Sequence, residues 1–334
     1  MYKFCTVWVF AFFAAVCCGE ESPGVETDIE FAVATAEDQA VSDAGDVVTE
    51  GDSAPEQGRA EISWLLEQRL TAEARNRTNR FVLTPHNRNY LLPVSYRPNP
   101  NTTVYEEAAR AALADQQRTE IEFQFSVKVL IAESLFGDNG HLYMAYTNHS
   151  FWQAYHQNVS RPFRETNHEP ELILSFANAW TILGFRNTAN EVIINHQSNG
   201  QSGQLSRSWN RIMVNSVFER NNFAFAIKPW YRIPEGAGEG PDDPKADNNP
   251  GIEHYLGHFE LLGAYKYDQQ IINVMLRNNL RSDNRGAVEI NWSFPISSTV
   301  RGYVKYFNGY GHSLIDYDSE VESLGIGITF TDLF

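Results

Sequence analysis

From Glu120 onward the chain alternates apolar and polar residues with a period of two, one segment after another. On a β-strand successive side chains leave by opposite faces, so this pattern leaves little room for anything but strands with one greasy and one polar side. The segments are Glu120 to Glu133, Gly140 to Gln153, Glu171 to Leu183, Thr188 to Ser198, Leu205 to Phe218, Asn222 to Pro234, His254 to Tyr267, Ile271 to Leu280, Gly286 to Phe294, Ser298 to Tyr310 and a closing pair within Ser313 to Phe334. Together they predict about twelve strands, most near the 9–11 residues that a tilted membrane strand needs. Turn clusters such as Gly137-Asp138-Asn139-Gly140, Asp283-Asn284 and Asn308-Gly309 separate them.

The greasy side could face lipid around a barrel, or the core of a soluble sandwich. In Gly286 to Phe294, for example, Ala287, Glu289, Asn291 and Ser293 share one face and Val288, Ile290, Trp292 and Phe294 the other. Three features favour the barrel. Aromatic residues make up 13% of the chain and crowd strand ends at Phe151-Trp152, Trp230-Tyr231, Tyr303 and Tyr306-Phe307, where an interfacial belt belongs. The three cysteines, Cys5, Cys17 and Cys18, lie at the N-terminus and provide no disulfide framework for a sandwich. The final segment, Ile328 to Phe334, alternates and ends in Phe, resembling the closing strand of bacterial outer-membrane proteins. The expected fold is therefore all-β, a twelve-stranded antiparallel transmembrane β-barrel.

Ahead of it, residues 1–19 have the layout of a secretory signal peptide: Lys3, the apolar run Thr6 to Val16, then Glu20-Glu21. Ala14-Ala15-Val16-Cys17 leaves a lipoprotein signal open. Residues 20–78 form a leader. Between Glu20 and Gly58 it holds about twelve acidic residues and no Lys or Arg, too little apolar surface to offset ordering entropy. This stretch carries most of the net charge of −16, and the near-balanced remainder gives no basis for a nucleic-acid partner. Ala60 to Arg75 and Tyr105 to Arg118 have helical character and are expected to precede or cap the barrel domain, residues 79–334.

The chemistry is concentrated between Asn195 and Arg211. His196 and Ser198 are two apart, so on a strand both leave by one face. Asn199 to Gly203 reads as a hairpin loop; if it is symmetric about Gly203, Asn210 lies opposite His196 with Cβ atoms roughly 5 Å apart. Spacing alone thus permits a Ser198, His196, Asn210 triad, although Ser, His and Asn are also ordinary residues of loops and strand ends.

Longer motifs carry a resemblance. Asn195-His196-Gln197-Ser198-Asn199-Gly200, Ser206-Arg207-Ser208-Trp209-Asn210-Arg211, Lys228-Pro229-Trp230-Tyr231, Tyr310-Gly311 with Ser313 to Tyr317, and Pro162 to Asn167 with Glu169-Pro170 resemble outer-membrane phospholipase A. The resemblance covers roughly Asn79 to Phe334. It implies a bacterial outer-membrane enzyme that hydrolyses acyl esters of phospholipids, uses calcium and acts as a homodimer, with ester position and lysophospholipid use left open. It implies Ser198 as nucleophile, His196 as base, Asn210 as its orienting partner and the Gly200 N–H as oxyanion donor. For calcium it implies the Ser206 side chain, the Gln201 carbonyl and Ser160 from the partner subunit.

The sequence departs from the family at two places. A second, carboxylate-based calcium site has Gly203 and Asn248 where acids are expected, with Asp247 adjacent. The glutamine of the dimer interface is replaced by Asn148. His149, His156, His168, His254 and His258 are read as scattered, not as a transition-metal cluster. Asp242-Asp243 and Asp247 read as solvated acids of the long loop from Pro234 to Gly251. Arg207 and Arg211 are lipid-phosphate contacts or, more commonly near a membrane interface, snorkelling side chains. The rival functions are a silent pore that kept the fold and a soluble esterase on a sandwich.

Overall fold

The computed structural model describes residues 82–331, apart from 109, 158–160, 237, 239–246 and 298–299. The signal segment, the leader, Ser160, Asp242-Asp243 and Phe334 lie outside the described residues. Twelve long strands follow: β1 Asn89–Tyr96, β2 Thr119–Ala132, β3 His141–Trp152, β4 Phe163–Ala177, β5 Phe185–Ser198, β6 Ser208–Arg220, β7 Phe223–Ile233, β8 Phe259–Tyr267, β9 Gln270–Asn278, β10 Gly286–Pro295, β11 Arg301–Tyr310 and β12 Glu320–Thr331. Each pairs antiparallel with its sequence neighbour, and β12 pairs with β1, which also pairs with β2. The sheet therefore closes, leaving no edge strand among the twelve.

The radial sorting of residues distinguishes this barrel from a sandwich. On β10, Ile290 and Trp292 are each 42% exposed, whereas Asn291 is 3% and Ser293 0% exposed. The same inversion recurs on β5 and β6, where Val192, Ile194, Ile212 and Val214 are exposed while Asn195 and Arg211 are buried. Apolar side chains outside and polar ones inside suit a cylinder in lipid. Inside, charges are satisfied by one another. Lys305 lies 2.6 Å from Glu122, which also accepts from the hydroxyls of Tyr90 and Ser95.

Three expectations need correction. The first strand, Asn89–Tyr96, is absent from the periodicity because Pro93 breaks its alternation. It is accommodated by bulges between Leu92 and Ser95 and between Ile326 and Ile328, where a Cβ on Gly327 would stand 2.1 Å from the Leu91 carbonyl oxygen. Conversely, Ser313 to Phe334 holds one strand rather than two. Residues 311–319 turn inward, with Leu314, Ile315, Asp316 and Tyr317 buried. Finally, only part of the aromatic set faces outward: Tyr231 is exposed, but Phe151, Trp230, Tyr303 and Phe307 are buried. Strand parity, and not residue type, decides which ring reaches lipid.

The helix-prone stretch becomes two short helices, α1 Thr103–Glu107 and α2 Ala111–Ala114, inserted between β1 and β2 rather than preceding the barrel. Tyr105 packs on Leu205 and Ile315, and its hydroxyl donates to the Arg164 carbonyl. This end of the barrel carries the long connections 97–118, 199–207, 234–258 and 311–319; the other end has two-residue turns at 221–222 and 268–269. Such asymmetry is that of outer-membrane barrels, whose short turns are periplasmic.

Candidate active site

β5 and β6 pair in the register that symmetry about Gly203 requires, with His196 opposite Asn210 and Ser198 opposite Ser208. Their outward face carries Val192, Ile194, His196 and Ser198 on β5, and Asn210, Ile212 and Val214 on β6. The three candidate residues thus sit on the lipid side at the long-loop end. His196 Nδ1 lies 2.8 Å from Asn210 Oδ1. An amide oxygen only accepts, so Nδ1 carries the proton and Nε2 keeps its lone pair for a serine. Among the described residues the buried Ser198 hydroxyl has no hydrogen-bond partner, so its bond to His196 is not closed here. A buried, unpaired hydroxyl beside a base is poorly satisfied at rest, and pairing in the substrate complex would relieve it.

The loop between the strands is held by Asn199, to which the sequence assigned no role. Its Nδ2 donates to the Leu205 carbonyl at 2.8 Å and to Glu165 at 3.3 Å, while its Oδ1 accepts from the N–H groups of Arg207 and Gln201. Gly203–Leu205 forms one 3₁₀ turn, which delays β6 to Ser208 instead of the expected Leu205. Gly200 has φ +63°, a left-handed backbone that disfavours any side chain, and its nearest neighbour to a Cβ would be the His168 ring at 3.7 Å.

His168, read in the sequence only as one of the scattered histidines, is the second residue given no role there. It registers opposite Ser198 on one side and Asn148 on the other, and its Nδ1 lies 2.6 Å from the Tyr146 hydroxyl. Asn148, His168 and Ser198 therefore form one polar row across three strands. Asn148 Oδ1 accepts from Ser150. Glu235 is the third. Asn210 Nδ2 donates to its Oε1 at 2.8 Å. Burial pushes the Glu235 carboxyl above its ordinary pKa, Arg232 opposes this and Asp247 adds to it.

Of the two flanking arginines, Arg211 does not reach lipid. Arg211 points into the lumen, bonded to Asn195 and Glu169 and 4.0 Å from the Trp209 ring centroid. Arg207 donates to the carbonyls of Gln204 and Ser206. Asp247 is not merely solvated, because Arg232 lies 2.6 Å from it.

For calcium, the donor set fits in kind: the Ser206 hydroxyl and the Gln201 carbonyl are hard oxygen ligands. Ser206 Oγ is engaged by Asn248 Nδ2 at 2.9 Å, an amide donor at one of the positions where the carboxylate-based site needs acids. The two oxygens this chain would offer a calcium ion are thus neutral.

A family model described as Phospholipase A1 matches residues 66–330. The chain belongs to the phospholipase A1 family. Phospholipase A1 of Klebsiella pneumoniae is 34% identical over 258 residues, spanning 77% of this chain and 85% of the relative. Among solved structures of this family, the calcium-bound dimer of the Salmonella typhi outer membrane phospholipase gives a TM-score of 0.70 at 32% identity, covering 77% of this chain and 95% of that one. An active-site variant of Escherichia coli outer membrane phospholipase A, with asparagine changed to alanine, gives the same TM-score at 32% identity, covering 77% and 94%. The twelve-stranded barrel and outer-membrane location of this phospholipase A1 family member follow, and with them its standing as an enzyme.

Proposed function

We propose that the protein hydrolyses acyl ester bonds of phospholipids by a calcium-dependent Ser-His-Asn mechanism and that the active form is a homodimer. The observation that carries this reading is the His196 Nδ1 to Asn210 Oδ1 hydrogen bond of 2.8 Å, on the lipid side and two residues from Ser198. A neutral amide suits this position, because an ionised Asp facing lipid would carry a large desolvation cost.

His196 Nε2 takes the proton of Ser198, whose Oγ attacks the ester carbonyl. The Gly200 N–H stabilises the oxyanion, and collapse expels the alcohol as His196 returns the proton. Water, deprotonated by His196, then releases the fatty acid and restores Ser198. The Ser206 side chain, the Gln201 carbonyl and Ser160 of the partner subunit would hold calcium, which when bound supplies positive charge near the oxyanion. The relative that binds calcium does so as a dimer, which supports linking the two here. Asn148, a polar side chain on a lipid-facing strand, supports an interface on this face.

The test is Ser198→Ala in the full chain, assayed on phospholipid micelles with calcium. A fall of about 10⁴-fold or more in kcat with the barrel folded is expected. Hydrolysis that persists in this variant overturns the mechanism.

A further inference from the structure

We propose that Glu235 is a positioning residue for Asn210, the outer member of a chain Glu235, Asn210, His196, Ser198 that sets the tautomer of the base and places a negative charge behind it. The proposal rests on the preceding assignment of Ser198 and His196.

An asparagine amide can present either end to its neighbour. With Oδ1 toward His196 it orients the base; flipped, it presents N–H groups that would favour the wrong tautomer. Glu235 decides between them. Its Oε1 accepts from Asn210 Nδ2 at 2.8 Å, and a flip would bring two acceptor oxygens together. Asn210 Oδ1 is thereby directed at His196 Nδ1, also at 2.8 Å. The chain path makes this possible: Asn210 registers against Ile233 at the end of β7, and Glu235 follows two residues later.

Among the described residues the second carboxylate oxygen, Oε2, is buried and has no hydrogen-bond partner, an arrangement that costs stability and is poorly explained as packing alone. Among the described residues the charged neighbours of Glu235 are Arg232 and Asp247. Arg232 is itself engaged by Asp247 at 2.6 Å and Glu253 at 3.5 Å, so its charge is shared among three carboxylates. A carboxylate one amide removed from the imidazole supplies part of what a neutral third member lacks: stabilisation of the imidazolium formed when Ser198 is deprotonated.

The experiment compares wild type, Glu235→Gln, Glu235→Ala and Ser198→Ala as full chains in detergent micelles with calcium. It reads kcat and KM on phosphatidylcholine across pH, and the rate of labelling by an alkyl phosphonofluoridate serine probe. Gln keeps an acceptor for Asn210 but removes the charge; Ala removes both. In both variants the acid limb of kcat/KM and of labelling is expected to move to lower pH by about half a unit, since a carboxylate behind the imidazole raises its basicity. The kcat is expected to fall about tenfold in Ala and about threefold in Gln, with KM within twofold. A limb unmoved in both variants, while Ser198→Ala is inactive, overturns the role of Glu235 alone. Hydrolysis that survives Ser198→Ala overturns the triad, and this inference with it.

Discussion

At the scale of single residues, the loop of the site depends on one side chain, Asn199, whose hydrogen-bonding capacity is fully used. Asn199 serves four partners, three in its own loop and Glu165 on β4, so its loss unties Gly200 and Gln201 together. Asn199→Ala is expected to lower kcat by at least tenfold while the thermal midpoint of the barrel moves by only a few degrees, because about 2 kcal/mol of local bonding is lost from a loop and none from the sheet. Thermal scans beside assays of the purified protein check this. His196, Ser198 and Asn210 were legible in the sequence because parity and hairpin symmetry are local. Glu235 and His168 were not, since one meets its partner through a 25-residue separation and the other lies on the neighbouring strand β4.

At the scale of elements, the inward segment 311–319 is the one that strand periodicity misreads. Its Ser313-Leu314-Ile315-Asp316-Tyr317 run alternates like a strand but is spent on ion pairs and packing. Burial alone would raise the Asp316 pKa, but Arg164 at 2.9 Å, and then Arg97, hold it below the usual range. A depressed carboxylate contributes its stability in full above its unfolded value, about 3.9, and loses it as pH falls through the folded value. Thermal stability of the wild type is therefore expected to drop below about pH 4. Asp316→Asn is expected to be less stable by about 3 kcal/mol at neutral pH, because it leaves buried guanidinium charge uncompensated. The gap between the two should close in acid, and melting curves from about pH 3 to 8 measure it. A constant gap across that range would count against the ion pair.

At the scale of the whole molecule, the lipid-facing surface and the proposed dimer belong together. Asn148, His168 and Ser198 form a polar row on β3, β4 and β5, and polar groups toward lipid are costly unless another surface covers them. Asn148→Leu is expected to shift the monomer–dimer equilibrium toward monomer by about fivefold, the scale of one polar contact of about 1 kcal/mol within a membrane. Crosslinking yield in micelles and calcium-dependent kcat should fall in parallel. Dimer yield unchanged in this variant would locate the interface elsewhere on the barrel.

Sequence alone determined what depends on neighbours along the chain. Period-two alternation specifies most of the strands and which side is apolar; the spacing of His196, Ser198 and the loop symmetric about Gly203 specifies the pairing of His196 with Asn210. Tertiary structure decided everything that depends on closure. Only the closed sheet shows that apolar faces point outward, that β1 pairs across its bulges with β12, and that Phe151 and Trp230 turn into the lumen. Only the folded loops bring Glu235 to Asn210 and Asp316 to Arg164. The physical reason is the same throughout: periodicity records which side of a strand a residue takes, while the partner it meets there is set by register between segments far apart in the chain.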